Sequence, residues 1–248
     1  MNKVVSIVLA ACLVLSAGLA SASTWAQIKE KGVITVGNAP DYPPFESIDD
    51  KGERVGFDID LVRAVAKRMG LKVEFVTLGF EVIVTAVQSG QVDLGVSGMS
   101  INDERKQFVN FTDPYFTAGQ VVVTTPESGI KTLADLKGKR VSAPVGTTSY
   151  AAAEKLEGIE LTAPEDYNMS FALLKGGGCD AAVADIPVAE EYVKQGGFTI
   201  VGEPLTFEEF AMIANKDNAD FIVELNKALA EVKASGEHEA LMKKWGLK

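Results

Sequence analysis

One histidine, His238, and two cysteines, Cys12 and Cys179, are all that the 248 residues offer of two side chains widely used to grip transition metals. A four-cysteine zinc site is thereby excluded, and a histidine metal site or a Ser/His/Asp triad would hang on His238 alone. His238 stands in a terminal helical pattern with no cysteine or second histidine to cluster with it, so it reads as an ordinary surface residue. No metal or other cofactor is expected. Cations are short as well: 24 Lys and Arg against 34 Asp and Glu give a formal charge of -10. A chain with no surplus of cations is a poor partner for nucleic-acid phosphates. What remains is a composition of the globular kind, 47% hydrophobic and 23% charged. Its length allows one large core or two small ones without disulfide staples.

The first residues read as an address rather than a fold. Lys3 is the only charge before an apolar stretch from Val4 to Ala20, and Ala20-Ser21-Ala22 precede Ser23. A charged start, an apolar middle and small residues at the end make a secretory signal peptide, predicted here over residues 1–22. Ser6, Ser16 and Gly18 interrupt the stretch, which is shorter than the ~20 apolar residues a spanning helix needs. Leu9-Ala10-Ala11-Cys12 has the look of a lipoprotein box and leaves a lipid-anchored form as the alternative. Cleavage after Ala22 leaves Cys179 as the only cysteine, so no internal disulfide can form. No later run is apolar enough to cross a membrane.

Beyond Ala22 strands and helices alternate. Val33–Val36 is a β-branched strand pattern, and Asp58–Gly70 has helical period with Asp58 where an N-cap would stand. Lys72–Thr77, Phe80–Ser89 and Val92–Val96 continue as strand, helix and strand. The same alternation recurs over residues 140–195. Such order predicts parallel sheets with helices on their faces. A β-branched run, 119–125, separates the two sets, and a second sheet-like run, 209–214, follows the second. Two α/β lobes crossed twice by the backbone are therefore expected, with a hinge at the crossings and a ligand cleft between.

Four local features carry chemistry. Asp41-Tyr42-Pro43-Pro44-Phe45-Glu46 follows the first strand, where open α/β sheets bind ligands, and offers an aromatic wall or simply a buried loop. Ser97-Gly98-Met99-Ser100 leads to Arg105, whose planar fork suits a carboxylate but could equally pair with Asp103 or Glu104. Gly146-Thr147-Thr148-Ser149 opens a helix, giving either an anion-binding N-terminus or plain capping. Asp185 ends an apolar strand, to attract a cation or to cap the next helix. Taken together, an arginine and a helix end want a carboxylate, an acid wants an ammonium, and aromatic walls want a stem. An α-amino acid has all three.

With these motifs, and with Gly56-Phe57-Asp58-Ile59-Asp60-Leu61, Gly90-Gln91-Val92-Asp93 and Phe111-Thr112-Asp113-Pro114-Tyr115, the chain resembles the periplasmic amino-acid-binding proteins of ABC importers, bacterial extracellular solute-binding protein family 3. The resemblance spans essentially the whole chain after the signal. It implies the type II periplasmic binding protein fold, with lobe 1 at about 23–116 and 208–248 and lobe 2 at about 117–207. It implies that Arg105, Ser100 and Thr148, at the Thr147 helix start, hold the α-carboxylate. Asp185 and a carbonyl near Ser97, ahead of Gly98, would hold the α-ammonium, with Tyr42 and Phe80 flanking the side chain. It further implies a monomer, without cofactor, that works in the periplasm and delivers a free amino acid to a membrane permease. Relatives that bind histidine or lysine carry an acid where this chain has Ala39. That departure argues for a polar, uncharged side chain, unless Asp41 or Glu81 compensates.

Two other functions fit the same scaffold. A dehydratase-like enzyme acting on a cyclic carboxylate would need a protonated acid in an apolar cleft and no ammonium site. A sensory ligand-binding domain would act through a membrane partner. The acid at Asp185 favours the binding protein.

Overall fold

The computed structural model describes residues 22–248, so the predicted signal up to Ser21 lies outside the described residues. The first five-stranded sheet runs in the order Lys72–Thr77, Val33–Asn38, Leu94–Gly95, Ile213–Asn215, Val109–Phe111. Its first three strands are parallel, and Ile213–Asn215 is antiparallel to both its neighbours. The second sheet has the order Glu160–Thr162, Arg140–Ser142, Ala181–Asp185, Gln120–Thr124, Thr199–Val201. Again the first three are parallel, while Gln120–Thr124 is antiparallel to both its neighbours. Helices Phe57–Arg68, Phe80–Gln88 and Ala219–Ala234 pack on the first sheet, and Thr148–Ala153, Tyr167–Lys175 and Ile186–Gln195 on the second. The chain has two α/β lobes of like design.

The backbone crosses between the lobes twice, and the crossings pair. Phe116–Ala118 lies antiparallel to Glu208–Phe210 as a two-stranded ribbon. Each crossing then feeds the fourth strand of the sheet it enters: Gln120–Thr124 after the first, Ile213–Asn215 after the second. The sheet-like run 119–125 contributes a buried interior strand, Gln120–Thr124, to the second sheet. Run 209–214 is broken, because Ala211 and Met212 turn their N–H groups to Met99 O and Thr112 Oγ1 instead of a neighbouring strand. Composition cannot reveal that break, since both pieces are apolar.

Further differences trace to local hydrogen bonding. Asp58 does not cap its helix; Gly56 holds that position, and Asp58 is fully buried within the first turn. The helix expected over residues 147–156 closes at Ala153, after which Lys155 and Leu156 bond three residues back in tight turns. His238 is half-buried rather than superficial: Nε2 lies 2.7 Å from Tyr115 O and the ring meets the Phe57 face edge-on at 5.5 Å.

An aromatic node joins the crossings to the cleft. Phe45 is fully buried, with ring centroids 5.1 Å from Phe116, 5.4 Å from Phe210 and 5.4 Å from Tyr42. Phe116 and Phe210 are the paired residues of the ribbon, so Phe45 ties the Tyr42 loop to both crossings. Phe45→Ala is expected to cost about 3–5 kcal/mol of stability, the usual loss for truncating a buried phenylalanine. Urea unfolding monitored by circular dichroism measures it, and a loss well under 1 kcal/mol would show that the node is not a structural support.

Candidate functional site

Between the lobes lies a narrow cleft lined from both sides. Lobe 1 lines it with Tyr42, Phe80, Ser97 and Gly98, and lobe 2 with Thr147, Thr148 and Asp185. Ser100 and Arg105 stand behind this lining: Ser100 Oγ is 3.2 Å from Thr148 Oγ1, across the lobe boundary. Of the nine residues singled out in the sequence, seven line the cleft, while Arg105 lines an adjoining pocket that shares Phe80, Thr147 and Thr148 with it.

Asp185 ends the fully buried strand Ala181–Asp185. It occupies the N-cap position of the next helix, yet its side chain makes no capping bond and turns into the cleft. Oδ1 accepts from Gln120 Nε2 at 2.7 Å, and Oδ2 accepts from the Tyr42 hydroxyl and from the Tyr167 hydroxyl at 3.3 Å. Burial pushes its pKa up to about 7, and the charge of Glu208 adds to that, while the Tyr42, Tyr167 and Gln120 donors oppose it. Tyr42 reaches Asp185 only because residue 98 is glycine. Gly98 has φ +51, and a Cβ there would sit 2.5 Å from the Tyr42 ring.

The Arg105 guanidinium is buried. It donates to Ser100 O at 2.8 Å and across the cleft to Gly146 O at 3.1 Å, with Phe80 packed on its face at 5.2 Å. Asp103, one of its possible surface partners, pairs instead with Lys106. Burial pulls Arg105 below the usual guanidinium range, and the charges of Glu208 and Asp185 draw it back up. With two carbonyls served, the five-donor fork keeps N–H groups for an anion. Thr147, by contrast, spends its hydroxyl on structure: it accepts from Tyr150 N at 3.0 Å and donates to Pro144 O at 2.7 Å. Thr148 keeps its hydroxyl in the cleft, beside Ser100 and Gln120 Nε2 at 3.3 Å.

Sequence reasoning named Asp41 but missed Glu165 and Asp166 near it, and two polar supports, Gln120 and Tyr167. Asp41, Glu165 and Asp166 also line the cleft, as do Ala39 and Tyr167. Asp41 is raised to about 6, chiefly by burial, next by the charge of Asp166 and less by that of Glu81, against a weak bond from Tyr167 N–H. No ion pair among the described residues involves Asp41, Glu165, Asp166 or Asp185. Nor do the described residues contain a His, Cys, Asp or Glu cluster arranged for a metal. Two signals were present. Glu165-Asp166 follow a parallel strand at its carboxyl end, where ligands gather. Gln120 is a lone polar residue in a β-branched run.

The raised carboxyl of Asp185 makes stability depend on pH. Folded, it keeps its proton to about pH 7; unfolded, it loses it near about pH 4. Its contribution is therefore present below about pH 4 and lost as pH rises through about 7. Asp185→Asn is expected to shrink the fall in melting temperature between those limits. A thermal-melting series with an unchanged slope would show that Asp185 ionises normally.

Two lobes, a paired crossing and a cleft that offers a cation on one side and acids on the other define a two-lobed binding protein. The chain belongs to the bacterial extracellular solute-binding proteins, family 3, whose model matches residues 34–248. Among its relatives, the arginine-binding extracellular protein ArtP of Bacillus subtilis is 34% identical, the match covering 99% of this chain and 98% of that protein. The ABC transporter arginine-binding protein 1 of Escherichia coli is also 34% identical, over 94% of this chain and 98% of its own length. An ancestral arginine-binding protein solved with arginine bound superposes with a TM-score of 0.83 at 41% identity, covering 86% of this chain and 98% of the other.

Proposed function

We propose that this protein captures an L-α-amino acid with a cationic side chain, arginine foremost, and hands it to the permease of an ABC importer. The observation that carries the choice of side chain is the acidic end of the cleft, where Asp41, Glu165 and Asp166 lie together without a cationic partner. Carboxylates gathered in a partly dry site repel one another until a cation arrives. Ala39 removes one acid that some relatives use, and Asp41, two residues on, restores the charge from the same loop. The names of the relatives point the same way.

In this reading Arg105, Ser100 and Thr148 take the α-carboxylate, with Thr147 shaping the turn and Gly98 leaving room for Tyr42. Asp185 takes the α-ammonium with the Ser97 segment beside it, and Tyr42 and Phe80 sandwich the stem. The lobes comprise residues 23–116 with 208–248, and 117–207. The export signal at residues 1–22 sends the chain to the periplasm, where it works as a non-catalytic monomer. One observation fits the dehydratase-like alternative: Asp185 holds its proton to about pH 7, as a general acid would. The acidic far end fits it badly, because a cyclic carboxylate would meet like charges there.

Calorimetry against L-arginine, L-lysine, L-histidine, L-glutamine and a cyclic dicarboxylate tests the proposal. L-arginine or L-lysine is expected to bind tightest; a preference for L-glutamine or for the carboxylate would overturn it. Arg105→Ala is expected to weaken L-arginine binding by about 2–5 kcal/mol, since a buried ligand carboxylate would lose its charged partner. Asp41→Asn is expected to weaken L-arginine more than L-glutamine. Affinity for L-arginine should also fall as pH drops through about 7 and then about 6, where Asp185 and Asp41 take up protons. A pH-independent affinity would remove both acids from the ligand.

A further inference from the structure

Beneath the Ser97–Gly98 turn lie two acids that the ligand does not need. Glu46 and Asp58 are both fully buried. Asp58 N–H donates to Phe45 O at 2.9 Å, which sets Asp58 beside Glu46. Each acid holds one residue of the turn: Ser97 Oγ donates to Glu46 Oε1, and Gly98 N–H donates to Asp58 Oδ2 at 2.8 Å. Ser97 Oγ in turn accepts from Ala39 N–H at 3.2 Å, so the pair also fixes the start of the Tyr42 loop. Ala39, Ser97 and Gly98 all line the cleft.

The hydrogen-bond accounting does not close with two carboxylates. Glu46 Oε2 and Asp58 Oδ1 are buried without a partner. Asn38 Nδ2 lies beside Glu46, but it too makes no regular bond. Neither acid forms an ion pair among the described residues. Arg54, the one cation whose charge acts on Glu46, is committed to Asn38 Oδ1 at 2.7 Å and to Thr77 Oγ1. The other facing groups bring no positive charge. Asp41 is an acid, and Tyr115 donates its hydroxyl to Asp58 Oδ2 at 2.8 Å. His238, behind Tyr115, is held toward the neutral form by burial, with Lys233 adding to that effect. Two bare carboxylates in such a pocket repel at low dielectric; one proton between them turns the repulsion into a hydrogen bond.

We propose that Glu46 and Asp58 hold a single proton between them, and that this neutralised pair fixes the Ser97–Gly98 turn in the shape the ligand meets. Asp58, with two donors on Oδ2, keeps the negative charge, and Glu46 carries the proton toward Asp58 Oδ1. Burial, followed by the charge of Asp58, holds the Glu46 pKa well above the carboxylate range. Both residues are positioning residues, since neither lines the cleft. The second half of the proposal rests on the cleft being the ligand site; the first half does not.

Two measurements test the two halves. Infrared difference spectra of the full chain against Glu46→Gln, at about pH 8 where ordinary carboxyls are ionised, should show a protonated-carboxyl C=O band in the wild type that the variant lacks. Identical spectra in that region would overturn the shared proton, and this arm needs no ligand. In calorimetry with L-arginine, Glu46→Ala should bind at least about tenfold more weakly, because an unsupported turn no longer presents its groups in place. Glu46→Gln, which keeps the size and an acceptor for Ser97, should recover most of that loss. Wild-type affinity in a folded Glu46→Ala would overturn the positioning role. If Glu46→Ala does not fold, Asp58→Ala takes its place, with the same loss expected and the same result overturning the role. A wild type that shows the band but binds no amino acid would refute the ligand assignment and leave the shared proton standing.

Discussion

Asp185 is a carboxyl group taken wholly out of water and given three donors from three separate segments. Leaving it unpaired would cost more than most single contacts return, so those segments are not free to drift. Gln120 and Tyr167 come from its own lobe and are themselves tied through Ser149, which bonds both. Tyr42 comes from the other lobe and rests on Gly98. Gly98 is held by Asp58, and its neighbour Ser97 by Glu46. A single polar requirement at the cleft floor thus propagates outward as a hydrogen-bonded chain that spans both walls.

The apolar architecture supports the same geometry from behind. Phe45 packs on Tyr42 on one side and on the two crossing strands on the other, so cleft wall and hinge share one aromatic node. Rings have few torsions to lose and bury large areas, which makes such a node stiff. Motion between the lobes then has to come from the ribbon beyond it, where Phe116–Ala118 and Glu208–Phe210 are each only three residues long. Stiff walls on a short ribbon suit a protein that grips a small solute without reshaping it.

The fold was legible because it rests on local patterns. Alternating β-branched strands and capped helices recur twice, and the runs after each set stood out by composition. The positions of Arg105, Asp185 and Tyr42 were legible for a related reason: each follows or ends a strand, where the loops of a parallel sheet converge. Asp58 was misread because acid-then-apolar spacing looks the same whether the acid caps a helix or is buried within its first turn. The Ser97 hydroxyl is spent on Glu46 and on Ala39 N–H, which leaves only the carbonyl near it for the ammonium contact that the resemblance implied. Gln120 and Tyr167 were passed over because neither sits in a motif; they matter only through Asp185.

Shortage of histidine, cysteine and cations, read from the sequence alone, excluded a four-cysteine zinc site and argued against an internal disulfide and nucleic-acid binding, and periodicity alone set two α/β units in order. Those properties are additive along the chain, so they can be counted. The charge character of the cleft could not be counted. Asp41 belongs to the first unit, Asp166 and Asp185 to the second, and only folding sets them around one cavity. Folding decided which acids lose their solvent and face each other, because desolvation and Coulomb repulsion depend on distances through space. Those two terms turn a polar cleft into one suited to a cation.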